Sequence, residues 1–82
     1  MEIFALIVVL TFMSPDGAHT IAEPHITGIH IGEDACVDVL TPETQVKNTR
    51  DALSESLVIS RVPKARLLGV DHWCAPLPEK AS

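Results

Sequence analysis

The pattern of apolar positions is uneven, and its longest feature comes first. Ile3–Phe12 reads Ile-Phe-Ala-Leu-Ile-Val-Val-Leu-Thr-Phe, apolar at every position but Thr11. Ile3, Ala5, Ile7 and Val9 alternate with Phe4, Leu6, Val8 and Leu10, so a strand here would be apolar on both faces. The β-branched residues suit a pleated surface. Two-sided apolarity predicts a central strand covered above and below. Ser14-Pro15-Asp16-Gly17 then predicts a tight turn, with proline presetting φ and glycine accepting a positive φ. A hairpin follows, its second strand over Ala18–Ala22. Pro24 has no N–H to give a ladder, so this strand ends there or continues as an edge past a break. His25–Ile31 carries Gly28 and reads as an irregular edge segment.

From Gly32 the texture changes. Asp34 is placed to cap a short helical turn over Ala35–Leu40, although Val37 and Val39 leave a strand open. Thr41-Pro42-Glu43 is a helix start, with threonine as N-cap, proline in the first turn and glutamate where the dipole favours it. The helix is predicted from Pro42 to about Val58, with Val46, Ala52, Leu53 and Leu57 as its apolar stripe. Lys47, Arg50, Asp51, Ser54 and Glu55 face water, and Lys47 pairs with Asp51 at i,i+4. After an exit loop at Arg61-Val62-Pro63-Lys64, Ala65–Cys74 reads as a third strand. Pro76 and Pro78 end the ladder, and residues 76–82 form a tail.

The expected fold is therefore α+β. It is a ββαβ-like arrangement in which an N-terminal hairpin and a C-terminal strand make a small antiparallel sheet, with one main helix on one face. Residues 1–75 form a single domain. One helix covers only one face of a sheet, so the second apolar face of Ile3–Phe12 calls for a protein partner or self-association.

Two other meanings of the opening run were weighed against the strand. It is half the roughly 20 apolar residues a spanning helix needs, so no membrane span is expected. An export signal is disfavoured by Glu2 in place of Lys or Arg, and by Pro15, Asp16 and Gly17 standing before any cleavage point at Ala22. The 82 residues suffice for one domain, and 46% hydrophobic with 21% charged residues is globular. A net charge of −5 argues against a nucleic-acid coat. Arg61, Lys64 and Arg66 make one basic spot, read as a solvated connector. With Phe4, Phe12 and Trp73 as the only aromatics, a base-stacking platform is not expected.

Candidate chemistry centres on two cysteines, Cys36 and Cys74. A bridge between them would contribute about 3.5–4 kcal/mol by loop closure. The competing reading is two reduced, buried thiols. His72-Trp73-Cys74 puts His72 and Cys74 on one strand face and Trp73 on the other. Cys36, His72 and Cys74, joined by one of His19, His25 or His30, would supply zinc-ligand types, although short ligand spacing occurs only once. No phosphate loop, nucleophile elbow or His-Glu-x-x-His helix is present, and so short a chain has little material for a cleft, so neither an enzyme nor a cofactor is expected. Glu23, Glu33, Asp34 and Asp38 are the acidic set expected to steer the chain to a basic partner.

In layout the chain resembles short bacteriophage and prophage accessory proteins. The features that carry this are the apolar opening strand Ile3–Phe12, the Pro15-Asp16-Gly17 turn, Cys36 near a helix start, and Trp73-Cys74-Ala75-Pro76 near the end. The resemblance implies no catalytic residues. It implies action by binding in the cytoplasm of a bacterial host, as an inhibitor or as a component of a larger assembly. The leading expectation is thus a non-enzymatic protein-binding module. The alternatives are a small exported protein stapled by Cys36 and Cys74, and a zinc-binding domain using Cys36, His72 and Cys74.

Overall fold

The computed structural model describes residues 2–77, so most of the expected tail lies outside the described residues. The elements run β1 (Ile3–Met13), β2 (Thr20–Ile31), α1 (Glu33–Asp38), α2 (Pro42–Ser54), α3 (Leu57–Arg61) and β3 (Arg66–Pro76). The three strands form one antiparallel sheet in the order β2-β1-β3, giving the expected α+β fold. The most apolar run in the chain is the middle strand, because only there are both ladder edges paired.

The turn after β1 forms as its residues dictate. Gly17 N–H donates to the Ser14 carbonyl at 2.9 Å, and Gly17 takes φ 73°. Asp16 accepts from the Ser14 hydroxyl and, at 3.0 Å, from the Ala18 N–H. The strand that follows is longer than expected: β2 runs unbroken through Pro24 and Gly28. Proline is accommodated because β2 is an edge, where alternate N–H groups point away from the ladder. Past Ile26 the register shifts, with Ile7 opposite Ile26 but Leu6 opposite Gly28, so Thr27 is an extra residue. Its hydroxyl donates to the Leu6 carbonyl at 3.3 Å. A second shift leaves Leu68 extra on β3. Pro76 does not stop pairing either: it lies opposite Phe4, and Leu77 N–H donates to the Ile3 carbonyl at 2.8 Å.

The helices also depart from expectation. Gly32, at φ 91°, is the N-cap of α1, and Asp34 sits in its first turn without a capping hydrogen bond. Thr41 caps α2 as expected, accepting from Thr44 N–H, and Lys47 lies 3.2 Å from Asp51. The single helix to Val58 is instead two, parted at Glu55–Ser56. The Ser56 hydroxyl accepts from Ile59 N–H at 3.3 Å and starts α3, which gives the chain a fresh cap where continuing α2 would not.

All three helices lie on one face of the sheet. Beneath them Val8, Leu10 and Phe12 pack with Ala52, flanked by Ile21, Leu53, Val58 and Val70. Toward the other end Phe4 and Leu6 pack with Cys36, flanked by Val39, Leu40 and Cys74. The inward stripe of α2 is Asn48 and Ala52, with Leu53 half-buried, whereas Val46 and Leu57 are exposed. Of the four expected stripe positions Ala52 and Leu53 face the core, Val46 does not, and Leu57 falls in α3. Leu10→Ala should therefore lower stability by about 2–5 kcal/mol, while Val46→Ala should change it by about 0.5 kcal/mol or less. Urea denaturation checks the contrast, and equal losses would contradict this packing.

Candidate functional site

The second face of the sheet carries no described element. Antiparallel pairing puts directly opposed residues on the same side, so this face can be read as rows across β2, β1 and β3. Ile26, Ile7 and Trp73 make one row; Ile29, Ala5 and Ala75 the next; Ile31 and Ile3 the end. Toward the hairpin loop the rows become more polar: Pro24, Val9 and Asp71, then Ala22, Thr11 and Gly69, then Thr20, Met13 and Arg66. Ile3, Ile26, Ile29, Ile31 and Trp73 are between 43% and 63% exposed. Five large apolar side chains converging on one flat surface form a patch, in contrast to the single exposed leucines that any protein carries.

The expectation that one face of β1 would lack cover thus meets a surface broader than β1 alone. β2 contributes Ile26, Ile29 and Ile31: the expected irregular edge segment His25–Ile31 is the second half of the edge strand, but which of its side chains face outward depends on the bulge. The apolar positions at 26, 29 and 31, two of them past the bulge, were the available signal. Trp73 does lie on the face opposite His72 and Cys74, as the strand alternation predicts.

Across the sheet, Cys36 of α1 and Cys74 of β3 form a disulfide with an S–S distance of 2.07 Å. It lies against Phe4 and Leu6 and pins α1 to the sheet. The bridge engages both sulfurs that a zinc site of Cys36, His72 and Cys74 would need as thiolates. Among the described residues no group of three or more His, Cys, Asp or Glu side chains is placed to hold a metal ion. His72 instead borders a shallow cleft with Gln45, Val46, Thr49 and Val70, and its Nε2 is buried without a hydrogen-bond partner.

The acidic set is not brought together. Glu33, Asp34 and Asp38 lie exposed on α1, beyond the Ile31 end of β2, while Glu23 lies opposite Leu10 toward the other end of β1. Glu23 is also committed elsewhere. Its Oε2 accepts from Leu57 N–H at 3.0 Å and Val58 N–H at 3.2 Å, and its Oε1 lies 2.9 Å from His25 Nε2. A carboxylate at a helix N-terminus is stabilised by the unpaired N–H groups there. Burial alone would raise the Glu23 carboxyl, but hydrogen bonds from Ser56, His25 and the backbone of Val58 and Leu57 outweigh it and hold the group below its ordinary value of 4.5. The role of Glu23 is to fasten α3 to β2.

Two outcomes follow from these contacts. Reduction and alkylation of the disulfide, which closes a separation of 38 residues, should lower unfolding stability by about 4 kcal/mol. Urea denaturation of oxidised and alkylated protein measures this, and no change would mean that the bridge does not hold α1 in place. Glu23→Gln should cost about 1 kcal/mol at neutral pH. Because the folded-state value is depressed, the ionised contribution is full above about pH 4.5 and is lost as pH falls through the lower folded value. The gap between wild type and variant should therefore close on acidification, and a gap that widened below pH 4 would refute the assignment.

Among the described residues no helix is long and apolar enough to cross a membrane. No protein-family model, curated protein or solved structure matches the chain.

Proposed function

We propose that this chain is a non-enzymatic protein-binding module that works by burying the open face of its sheet. The observation that carries this reading is the cluster of Ile3, Ile26, Ile29, Ile31 and Trp73 on the side away from the helices. Full burial of such side chains is worth roughly 1.5–3 kcal/mol each. The helix side also exposes Val37, Val46, Leu57 and Ile59, but on three separate helices rather than in rows across one sheet. Its polar groups serve the fold: Glu23 caps α3, Thr41 caps α2, and the cysteines are bonded to each other.

A flat apolar sheet held rigid by a helix layer is suited to packing against another protein surface, so the module acts by covering that surface or by joining an assembly through it. Exposed Glu33, Asp34 and Asp38 lie just beyond the apolar end, where negative charge would speed the approach of a basic partner.

The test replaces one exposed side chain at the centre of the patch. Ile26 is more than half exposed, so Ile26→Lys should leave the fold intact while placing a charge where an apolar surface must seat. Wild-type protein used as bait in the native host should retain a stoichiometric partner that Ile26→Lys loses by at least tenfold. Equal capture by both proteins would show that the open face is not the binding surface.

A further inference from the structure

The open face has a shape that bears on its occupant. Its β2 column is bulky, with Ile26, Ile29 and Ile31 in successive outward positions. Its β3 column is small at Gly69 and Ala75, with Trp73 as its one large apolar side chain and Arg66 at the hairpin end. The middle column, on β1, is shared by both sides. Such a surface is complementary to its own mirror in one arrangement only. If a copy is turned about a two-fold axis running along β1, the β2 column of each lies over the β3 column of the other at the same height. Ile29 then faces the small Ala75, and Ile26 faces Trp73. A two-fold axis across the strands would instead lay β2 on β2, bulk against bulk, and would reverse the apolar and polar ends.

We propose that the partner buried on this face is a second copy of this chain, packed sheet on sheet with the two β1 strands superposed. The proposal rests on the reading that the open face is a protein-binding surface, and it names the occupant.

Size bears on the same occupant, and the charges within the face do not oppose it. Three strands spaced about 4.8 Å apart, running for about 11 residues at 3.3 Å each, present a projected face of about 500 Å² per copy. Two such faces give about 1,000 Å² before side-chain relief is added, which is the threshold for a biological interface and suits a dimer that dissociates on dilution. The molecule is only 18 Å through its thin direction, so a second sheet completes the sandwich that the helices supply on one side alone. Sheets packed in this way cross at about 30°, which keeps the Ile26-Ile7-Trp73 row in contact near the centre. The charges on this face, Asp71 and Arg66, both belong to the β3 column. In the two-fold arrangement each meets the β2 column of the other copy, opposite Pro24 and Thr20, so no like charges are opposed.

Sedimentation velocity of the oxidised full chain over a wide concentration range tests this directly. Wild type should be a dimer that dissociates on dilution, and Ile26→Lys and Trp73→Glu should each be monomeric. Mixed in equal amounts, the two variants should recover a heterodimer: one contact pairs the introduced lysine with the introduced glutamate, and the other keeps the natural isoleucine against tryptophan. Trp73 is the only tryptophan, so the unsubstituted protein carries its own reporter. Its emission should shift to the red as dilution exposes it, and this readout does not depend on either variant folding.

A monomer at every concentration with constant tryptophan emission overturns the proposal, as does a dimer that both substitutions leave intact. If the chain is monomeric yet Ile26→Lys still abolishes capture of a host protein, the binding reading stands and the second copy falls. If neither a dimer nor Ile26-dependent capture is seen, both fall together.

Discussion

Everything in this fold depends on β1 pairing along its whole length with a strand on each side. A run of alternating large and β-branched apolar residues has no stable place except between two neighbours, where its N–H and C=O groups are matched and its side chains are sheltered. Phe4, Leu6, Val8, Leu10 and Phe12 set the floor on which all three helices rest. The helices themselves are short, and the longest of them turns mostly polar residues toward the sheet. Their stability comes from that floor rather than from their own sequences.

A chain of this size cannot rely on its core alone, because too much of it is surface. Two devices attach the helices at separate points. The Cys36–Cys74 bridge holds α1 at one end of the sheet, and the Glu23 carboxylate holds α3 toward the other, with α2 carried between them. Each joins residues more than 30 positions apart in the chain. The pieces least able to fold by themselves are the ones secured by the most distant contacts.

How much of this was legible in the sequence depended on whether the signal was local. The central strand, the Ser14–Gly17 turn, the Thr41 cap and the Lys47–Asp51 pair all rest on neighbours within a few residues, and all appear in the structure. The path of β2 was left between two readings, an end at Pro24 or an edge continuing past it, because whether Pro24 and Gly28 are tolerated depends on lying at an edge, which is a fact about the sheet. The division of the helix at Ser56 was hidden for the same reason: Glu23, which caps α3, is 34 positions away from Leu57. For the candidate site, the two-sided apolarity of β1 announced that one face would lack cover. The side chains that widen that face into a patch came from β2. The acidic residues attracted notice by their proximity in sequence, and the fold gives Glu23 a different task from the others.

The bulge at Thr27 has a meaning beyond local geometry. Along a regular strand outward positions keep one parity, and from Thr20 to Ile26 the even-numbered residues of β2 face out. The extra residue reverses the count, so that Ile29 and Ile31 join Ile26 on the open side while Gly28 and His30 turn toward the helices. Thr27 thus acts as a phase switch in the code of the strand. If the same residues paired in regular alternation, with no bulge, Ile29 and Ile31 would fall in the helix layer and Gly28 and His30 on the surface. The surface is therefore written by the place of the bulge in β2 as much as by the kinds of residue there.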